Sequence, residues 1–361
     1  MQKSNPKISI IIPVYNSEEF LEQCLNSAIN QTLQDIEIVV INDASTDSSL
    51  QMIKEFQTKD KRIKLIDFKE NKGNGYGRNE GVKTAKGKFI LFLDSDDWLE
   101  NTVAELTYKK AVESDYKIVV FGYTQHITFL KNEKKNKELY LPSVEDENTD
   151  FFYYFMMHRK GMYSMPWIYL FSRALLIENK IEFSVGIYFE DIIFVTKALN
   201  NIQKIGVIND IPLYNYRIRK NSITQSLSKK KIDDNFTAHV YFKEYLEASS
   251  IFKKYEREYL IRFLVYCVFL SFWDYYRMSK EQKDEELDIY MKRIRKSKLL
   301  SFKNLHLLKT ASKDLEKNEV RTKKTYKMAI FILSQIKYNS FAFKIGMNII
   351  KYKIHKNEKK N

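Results

Sequence analysis

Apolar and polar positions come in alternating blocks over the first hundred residues. "ISIIIPVY" (8–15) is a nearly unbroken apolar run and reads as a strand, and "SEEFLEQCLNSAINQ" (17–31) follows with apolar residues at 20, 21, 24, 25, 28 and 29. That spacing puts them on one stripe of a helix, with Ser17 in the N-cap position. "IEIVVIND" (36–43) is a second strand, Asp47 opens a helix carrying Leu50, Ile53 and Phe56, and "IKLIDF" (63–68) is a third strand. "GYGRNEGVKTA" (75–85) reads as a third helix and "KFILFLD" (88–94) as a fourth strand. Strands that read as continuous apolar runs are buried on both faces. Strand and helix in strict alternation predict a parallel sheet covered by helices.

Beyond this block "YKIVVFGY" (116–123) predicts a further strand, and the charged stretch 131–150 an exposed loop or hairpin. From about 231 the pattern becomes long, Tyr- and Phe-rich and helical, with hardly any Gly or Pro. The expected boundary therefore falls near 228, giving domains 1–228 and 229–361. The apolar run 263–273 is bounded by Arg262 and Asp274 and is shorter than the ~18 residues a membrane span needs, so it is predicted to be a buried helix.

The polar clusters change the picture from fold to site. Pro13 to Asn16, Asn42 to Asp47 and Asp94 to Asp97 each fall at the carboxyl end of a predicted strand, where open α/β sheets hold their ligands. The last cluster crowds three carboxylates into four positions, Asp94, Asp96 and Asp97. Like charges at that spacing repel, and a cation relieves them. Asp94-Ser95-Asp96, read as an extended segment, puts both carboxylates on the same side, where they can hold Mg²⁺ or Mn²⁺ with room left for water and a diphosphate. A D-x-D pair taken alone is as often a solvated turn.

The glycine-rich "NKGNGYGRNEG" (71–81) is not a dinucleotide fingerprint, because Arg78 and Glu80 break the G-x-G-x-x-G spacing and the segment follows the third strand. A helix start with glycines and Arg78 suits a phosphate. Arg78 paired with one of the nearby aspartates is the other reading, and both stay open.

Taken together, "SIIIPVYNSEEFLEQCLNSAINQTLQDIEIVVINDASTDSS", "NKGNGYGRNEGVKTAKGKFILFLDSDDW", "PWIYLFSRALLIENKIEFSVGIYFEDIIF" and "PLYNYRIRKNSIT" resemble the family 2 glycosyltransferases of the bacterial surface-polysaccharide type, over residues 8 to about 226. The resemblance implies a GT-A fold, an α/β nucleotide-sugar-binding domain with a mainly parallel sheet, followed here by a mostly helical C-terminal region. It implies inverting transfer of a sugar from a nucleotide diphosphate, most often UDP, to a hydroxyl of a glycan or lipid-linked acceptor.

By the same resemblance Pro13, Tyr15 and Asp43 surround the base and ribose. Asp94 lies near the ribose and metal, Ser95 faces the donor, and Asp96 is the direct ligand of Mn²⁺ or Mg²⁺. Glu190 and Asp191 match the acceptor-side acidic pair, with Asp191 as general base. Arg217, Arg219 and Ser222 fall in the segment that closes over the diphosphate. Two departures bear on loop shape: Ala44 stands where Gly is usual, and Gly77 where Ala commonly precedes the Arg-Asn pair. The residues around Asp191 agree with the base role, since "VGIYFEDIIF" surrounds the acids with apolar groups that raise a carboxylate's pKa. From this stretch alone, acids capping the helix that follows fit as well.

Composition narrows the remaining classes. The 361 residues carry a net charge of +14, and eleven Lys or Arg against one acid lie between Arg321 and Asn361. Lys337, Lys344 and Lys351 recur at heptad spacing opposite Ile332, Ile336, Phe343, Met347 and Ile350. Such a basic amphipathic helix can rest on an anionic membrane surface, or dock on its own domain with its lysines in water. The expected setting is cytoplasmic, with peripheral contact to the inner face of the cytoplasmic membrane through this tail.

The charge sits in the tail, no recognition motif is present and the main crevice is acidic, so no nucleic-acid partner is predicted. The two cysteines, Cys24 and Cys267, lie far apart without metal-ligand spacing. Trp98 and Trp167 could stack on a sugar, although core positions are commoner for such residues. The alternatives to sugar transfer are nucleotidyl transfer on the same fold, a non-catalytic nucleotide-sugar-binding scaffold, and a nucleic-acid binder.

Overall fold

The computed structural model describes residues 5–127, 137–143, 150–157, 163–219, 228–269 and 271. The chain divides into two compact units after Ser226.

In the first unit β1 (Ile8–Val14), β2 (Ile36–Asp43) and β3 (Ile63–Phe68) alternate with α1 (Glu18–Ile29), α2 (Ser49–Lys59) and α3 (Asn74–Thr84). They are followed by β4 (Phe89–Phe92), β5 (Trp98–Leu99), α4 (Val103–Glu113), β6 (Ile118–Ile127), β7 (Lys137–Tyr140) and α5 (Phe151–Met156). A single 3₁₀ turn (Pro166–Ile168), β8 (Tyr169–Ser172), α6 (Arg173–Glu178), α7 (Asp191–Asn200) and β9 (Gly206–Ile218) complete the unit.

The strands form one sheet in the order β3-β2-β1-β4-β8-β6-β9-β5, with β7 added beside β6. β3, β2, β1 and β4 run parallel. β8 enters antiparallel between β4 and β6, β9 runs parallel to β6, and β5 closes the order antiparallel to β9. The sheet is thus mixed and mainly parallel, and every residue of β1 and β2 is buried. Their β-branched stretches, Ile10–Ile12 and Ile38–Ile41, suit strands covered on both faces.

Three local expectations need correction. The fourth strand stops at Phe92, and Asp94–Asp97 form a turn closed by the Asp97 N–H donating to the Asp94 carbonyl at 3.1 Å. The aspartates are therefore not displayed by strand alternation. Turning the chain sends each carboxylate to a different set of donors, which lowers their mutual repulsion.

Ser17 stands before α1 but its side chain does not cap it. Asp47 serves both helix starts instead, accepting the Glu18 N–H at 3.0 Å and the Ser49 N–H at 3.0 Å, while Glu18 accepts the Ser48 N–H at 2.8 Å. The predicted strand at 116–123 runs on to Ile127 through an irregularity around Gly122, and β7 makes the hairpin side of the charged stretch. Residues 131–136 and 144–149 of that stretch lie outside the described residues.

The two departures from the family pattern sit differently in the backbone. Ala44 takes the left-handed backbone (φ 58) for which Gly is usual, at a cost of roughly 1–2 kcal/mol. At Gly77 an added Cβ meets only Ile41 at 3.5 Å and Pro13 at 3.8 Å, both ordinary contacts. Since Ala is favoured over Gly by about 1 kcal/mol in a helix interior, Gly77→Ala is expected to raise the melting temperature by a few degrees in a thermal scan.

The second unit contains α8 (Lys229–Ala248), α9 (Phe252–Arg262) and a π-helical segment (Phe263–Phe269). Phe263, Leu264, Val265 and Cys267 are buried, as a core helix predicts, and neither Cys24 nor Cys267 is in a disulfide. Among the described residues no helix is long and apolar enough to cross a membrane. The basic tail and its lysine stripe fall outside the described residues.

His239 of α8 is 1% exposed, and its Nδ1 donates to the Asn235 carbonyl at 2.9 Å. Burial, reinforced by Arg262, lowers its pKa to about 3. An unfolded histidine titrates near ~6.5, so the stability of neutral His239 is complete above that pH and is lost as pH falls toward 3, on the order of 4 kcal/mol in all. His239→Gln cannot take up this proton. Its melts by circular dichroism between pH 7 and 4 are expected to show a smaller loss than the parent protein.

Candidate active site

The loops after β1, β2 and β4 are tied to one another. The Asn16 N–H donates to Ser45 Oγ at 3.1 Å, and Asn16 Oδ1 accepts the Thr46 N–H at 2.8 Å. Ser17 Oγ and Ser95 Oγ share a hydrogen bond of 2.6 Å, which links the first loop to the aspartate turn. Pro13 is buried beneath α3, while Tyr15 is 46% exposed at the rim.

Asp43 is buried, and its two carboxylate oxygens accept the N–H groups of Lys72 and Gly73 at 2.7 and 2.8 Å. It therefore fixes the glycine-rich loop that leads into α3. A Cβ on Gly75 would run into the Ser184 carbonyl, so glycine lets α3 start against the backbone before α7.

Each aspartate of the turn has its own partners. Asp94 Oδ1 accepts Arg78 Nη2 at 2.7 Å, and Asp96 Oδ2 accepts Arg219 Nε at 2.9 Å. Asp97 is 1% exposed; it accepts the Tyr214 hydroxyl at 2.7 Å and the Arg217 N–H at 2.7 Å. The same Tyr214 oxygen accepts the Asp94 N–H at 3.2 Å, so one phenol holds both ends of the turn. Burial, with Asp96 and Asp94 adding to it, pushes the Asp97 carboxyl well above the usual range.

Sequence reasoning assigned no role to Asp97 or Tyr214. The available signal was the period-two pair Tyr214 and Tyr216 on β9, whose rings both stack on Trp167. Trp167 is accordingly a core residue, 4% exposed.

Arg78 is the centre of the arrangement. Its guanidinium is almost fully buried, with Nη2 on Asp94, Nη1 on Glu190 Oε1 at 2.7 Å, and the Phe183 ring 5.3 Å away. Both carboxylates, with Asp191 contributing, hold its pKa above the ordinary arginine value despite the opposing effect of burial. The pairing with an aspartate is realised, and it extends to the acidic pair across the crevice.

Asp191 is the first residue of α7 and Glu190 stands at its cap position. Arg217 donates from Nε to the Asp96 carbonyl at 2.9 Å and from Nη2 to Gln23 at 2.6 Å, between the rings of Phe20 and Trp98. Ser222 lies outside the described residues.

Among the described residues no group of three His, Cys, Asp or Glu side chains is gathered in metal-holding geometry. Asp94 and Asp96 nevertheless supply an all-oxygen pair of the kind that Mg²⁺ or Mn²⁺ takes when other positions go to diphosphate and water. Burial, and then the Asp94 charge, raise the Asp96 carboxyl above its ordinary value, with Arg219 acting against both. The residues present therefore fit a divalent cation.

A mixed, mainly parallel sheet with acidic groups on the loops beyond its carboxyl edge is the GT-A architecture, and helices flank it as that class requires. The chain belongs to Glycosyl transferase family 2, whose family model matches residues 9–177. It is 30% identical to the cholesterol galactosyltransferase of Borreliella burgdorferi over 77% of this chain and 78% of that protein. It is also 36% identical to glycosyltransferase GlyA of Streptococcus pneumoniae over 62% of this chain, but spans only 32% of that longer protein. Among solved structures, S. aureus TarS 1–349 in complex with UDP-GlcNAc superposes with a TM-score of 0.65 at 22% identity, covering 90% of each chain, a likeness of fold.

Proposed function

We propose that the protein is an inverting glycosyltransferase that moves a sugar from a UDP-linked donor to a hydroxyl of a glycan or lipid-linked acceptor in cell-surface polysaccharide synthesis. The observation that carries this reading is the buried Arg78 bridge, which brings the aspartate turn and the Glu190–Asp191 pair to one guanidinium. Family membership supplies the reaction class, and the choice of a UDP-linked donor follows the UDP-GlcNAc bound in the TarS complex, which shares the fold.

In this reading Tyr15 offers its exposed ring to the uracil beside Pro13, and Asp43 keeps the adjoining loop in place. Ser95 and Asp94 face the ribose side, and Asp96 with Asp94 would hold Mn²⁺ or Mg²⁺, which supplies charge neutralisation to the diphosphate when bound. Arg219, paired with Asp96 in the free chain, would turn to the diphosphate, with Arg217 and Ser222 on the same segment. Asp191 accepts the acceptor hydroxyl's proton as its oxygen attacks the anomeric carbon and the bond to UDP breaks, inverting that centre. UDP leaves as a stabilised anion, so no protein acid is needed. A lipid-linked hydroxyl reached while the basic tail rests on an anionic membrane surface belongs to the same proposal.

The test is a panel of UDP-sugars, including UDP-GlcNAc, UDP-glucose and UDP-galactose, assayed for thermal stabilisation and slow hydrolysis with and without Mn²⁺. Stabilisation and UDP release that need the metal are expected with at least one member. A panel without any response overturns the donor class. Stabilisation without UDP release, even with acceptor glycans added, favours a binding scaffold.

A further inference from the structure

α3 does more than start the donor side of the crevice. Asn79, next to the bridging Arg78 and 7% exposed, grips the backbone of Phe183 from both sides: its Nδ2 donates to the Phe183 carbonyl at 2.9 Å and its Oδ1 accepts the Phe183 N–H at 2.8 Å. The Phe183 ring is stacked on Phe194 of α7 at 3.8 Å and 6°, and both rings meet Phe92 at the end of β4 edge-on.

The segment 184–190 is thus held at its start by Asn79 and at its end by Arg78 on Glu190. Between these anchors Val185 is 54% exposed, Gly186 has φ 81 and Phe189 has φ 63. A bulky residue at positive φ directly before the acidic pair is a strained conformation that persists only where its surroundings enforce it.

We infer that Asn79, together with Arg78, is a positioning residue for the acceptor-side base: the Asn79–Phe183 clamp sets where the segment 184–190 delivers Asp191 relative to the aspartate turn. The inference rests on the reading of Asp191 as the base and adds a role for a residue that touches neither donor nor acceptor. A carboxylate displaced by an ångström or less loses much of its catalytic advantage while the donor side of the crevice is unaltered. Asn79 therefore acts on turnover and not on nucleotide affinity.

The experiment compares Asn79→Ala, Asp191→Asn and the double variant, with UDP affinity measured by calorimetry in Mn²⁺ and kcat measured with the donor identified in the panel. For Asn79→Ala, kcat is expected to fall about 10- to 100-fold with UDP affinity within about twofold of the parent. In the Asp191→Asn background the same substitution is expected to cost nothing further, because its effect passes through that carboxylate.

Losses that multiply in the double variant, a UDP affinity that falls in step with kcat, or an unchanged kcat would each overturn the inference. Asn79→Asp keeps the acceptor for the Phe183 N–H and replaces the donor with an oxygen that the Phe183 carbonyl repels, and it is read in the same way if the alanine variant does not fold. Full turnover by Asp191→Asn alone would instead remove Asp191 as base. The clamp is then judged by the same cycle with Glu190→Gln, and multiplying losses there overturn it as well.

Discussion

Asp191→Asn is expected to bind UDP as the parent protein does and to lose sugar transfer by about 10²- to 10⁴-fold, the usual contribution of a general base. An amide has nearly the shape of a carboxylate but cannot take a proton from the attacking hydroxyl, so the loss should appear in kcat while the donor's KM stays near its starting value. The expectation follows from position: Asp191 opens α7 directly after Glu190, whose Oε1 is committed to Arg78 at 2.7 Å. Steady-state kinetics with the donor identified in the panel, alongside UDP calorimetry, make the check. Undiminished turnover would move the base, with Glu190 the next residue to test.

Asp96→Ala is expected to abolish the Mn²⁺ dependence of UDP binding, weakening it by more than about 100-fold, since even losing an outer partner of a metal ligand costs about 10- to 100-fold. The fold should survive. Asp96 contributes one side-chain bond, to Arg219, while the turn itself is closed by the Asp97 N–H on the Asp94 carbonyl and held by Tyr214. Removing one of three crowded carboxylates also relieves repulsion on the others. Far-UV circular dichroism and the melting temperature should therefore match the parent closely. Equal UDP affinity with and without EDTA in the variant and in the parent alike would show that no metal acts at this turn.

Glu190, Asp94 and Arg78 illustrate why a motif-level reading stops short of the site. A glycine-rich helix start with an arginine admits both a phosphate and an aspartate as partner, because spacing in the sequence does not state what lies 112 residues further along the chain. In the fold Arg78 takes Glu190 at that separation and Asp94 at 16. The D-x-D pair was visible by composition, yet its geometry was not: alternation along a strand predicted two parallel carboxylates, and the chain instead turns after Phe92. The period-two tyrosines of β9 marked Tyr214 as inward-facing but did not name Asp97 as its partner, since a third acid and one of many tyrosines become a pair only when β9 lies beside β5.

What the amino-acid sequence determined by itself is the local and periodic part of this protein. Strands β2 and β3 span the predicted residues, 36–43 and 63–68: β2 is buried along its whole length, which leaves little choice of conformation or register, and β3, half-buried beyond Ile63, pairs with it in parallel. The strand–helix alternation likewise fixed the parallel half of the sheet and the edge where ligands gather. Only the tertiary structure decided which charged group meets which. Hydrogen bonds and ion pairs act over about 3 Å, and the groups that make them here are brought together from α3, the aspartate turn, the segment before α7 and the end of β9 by packing of the whole sheet.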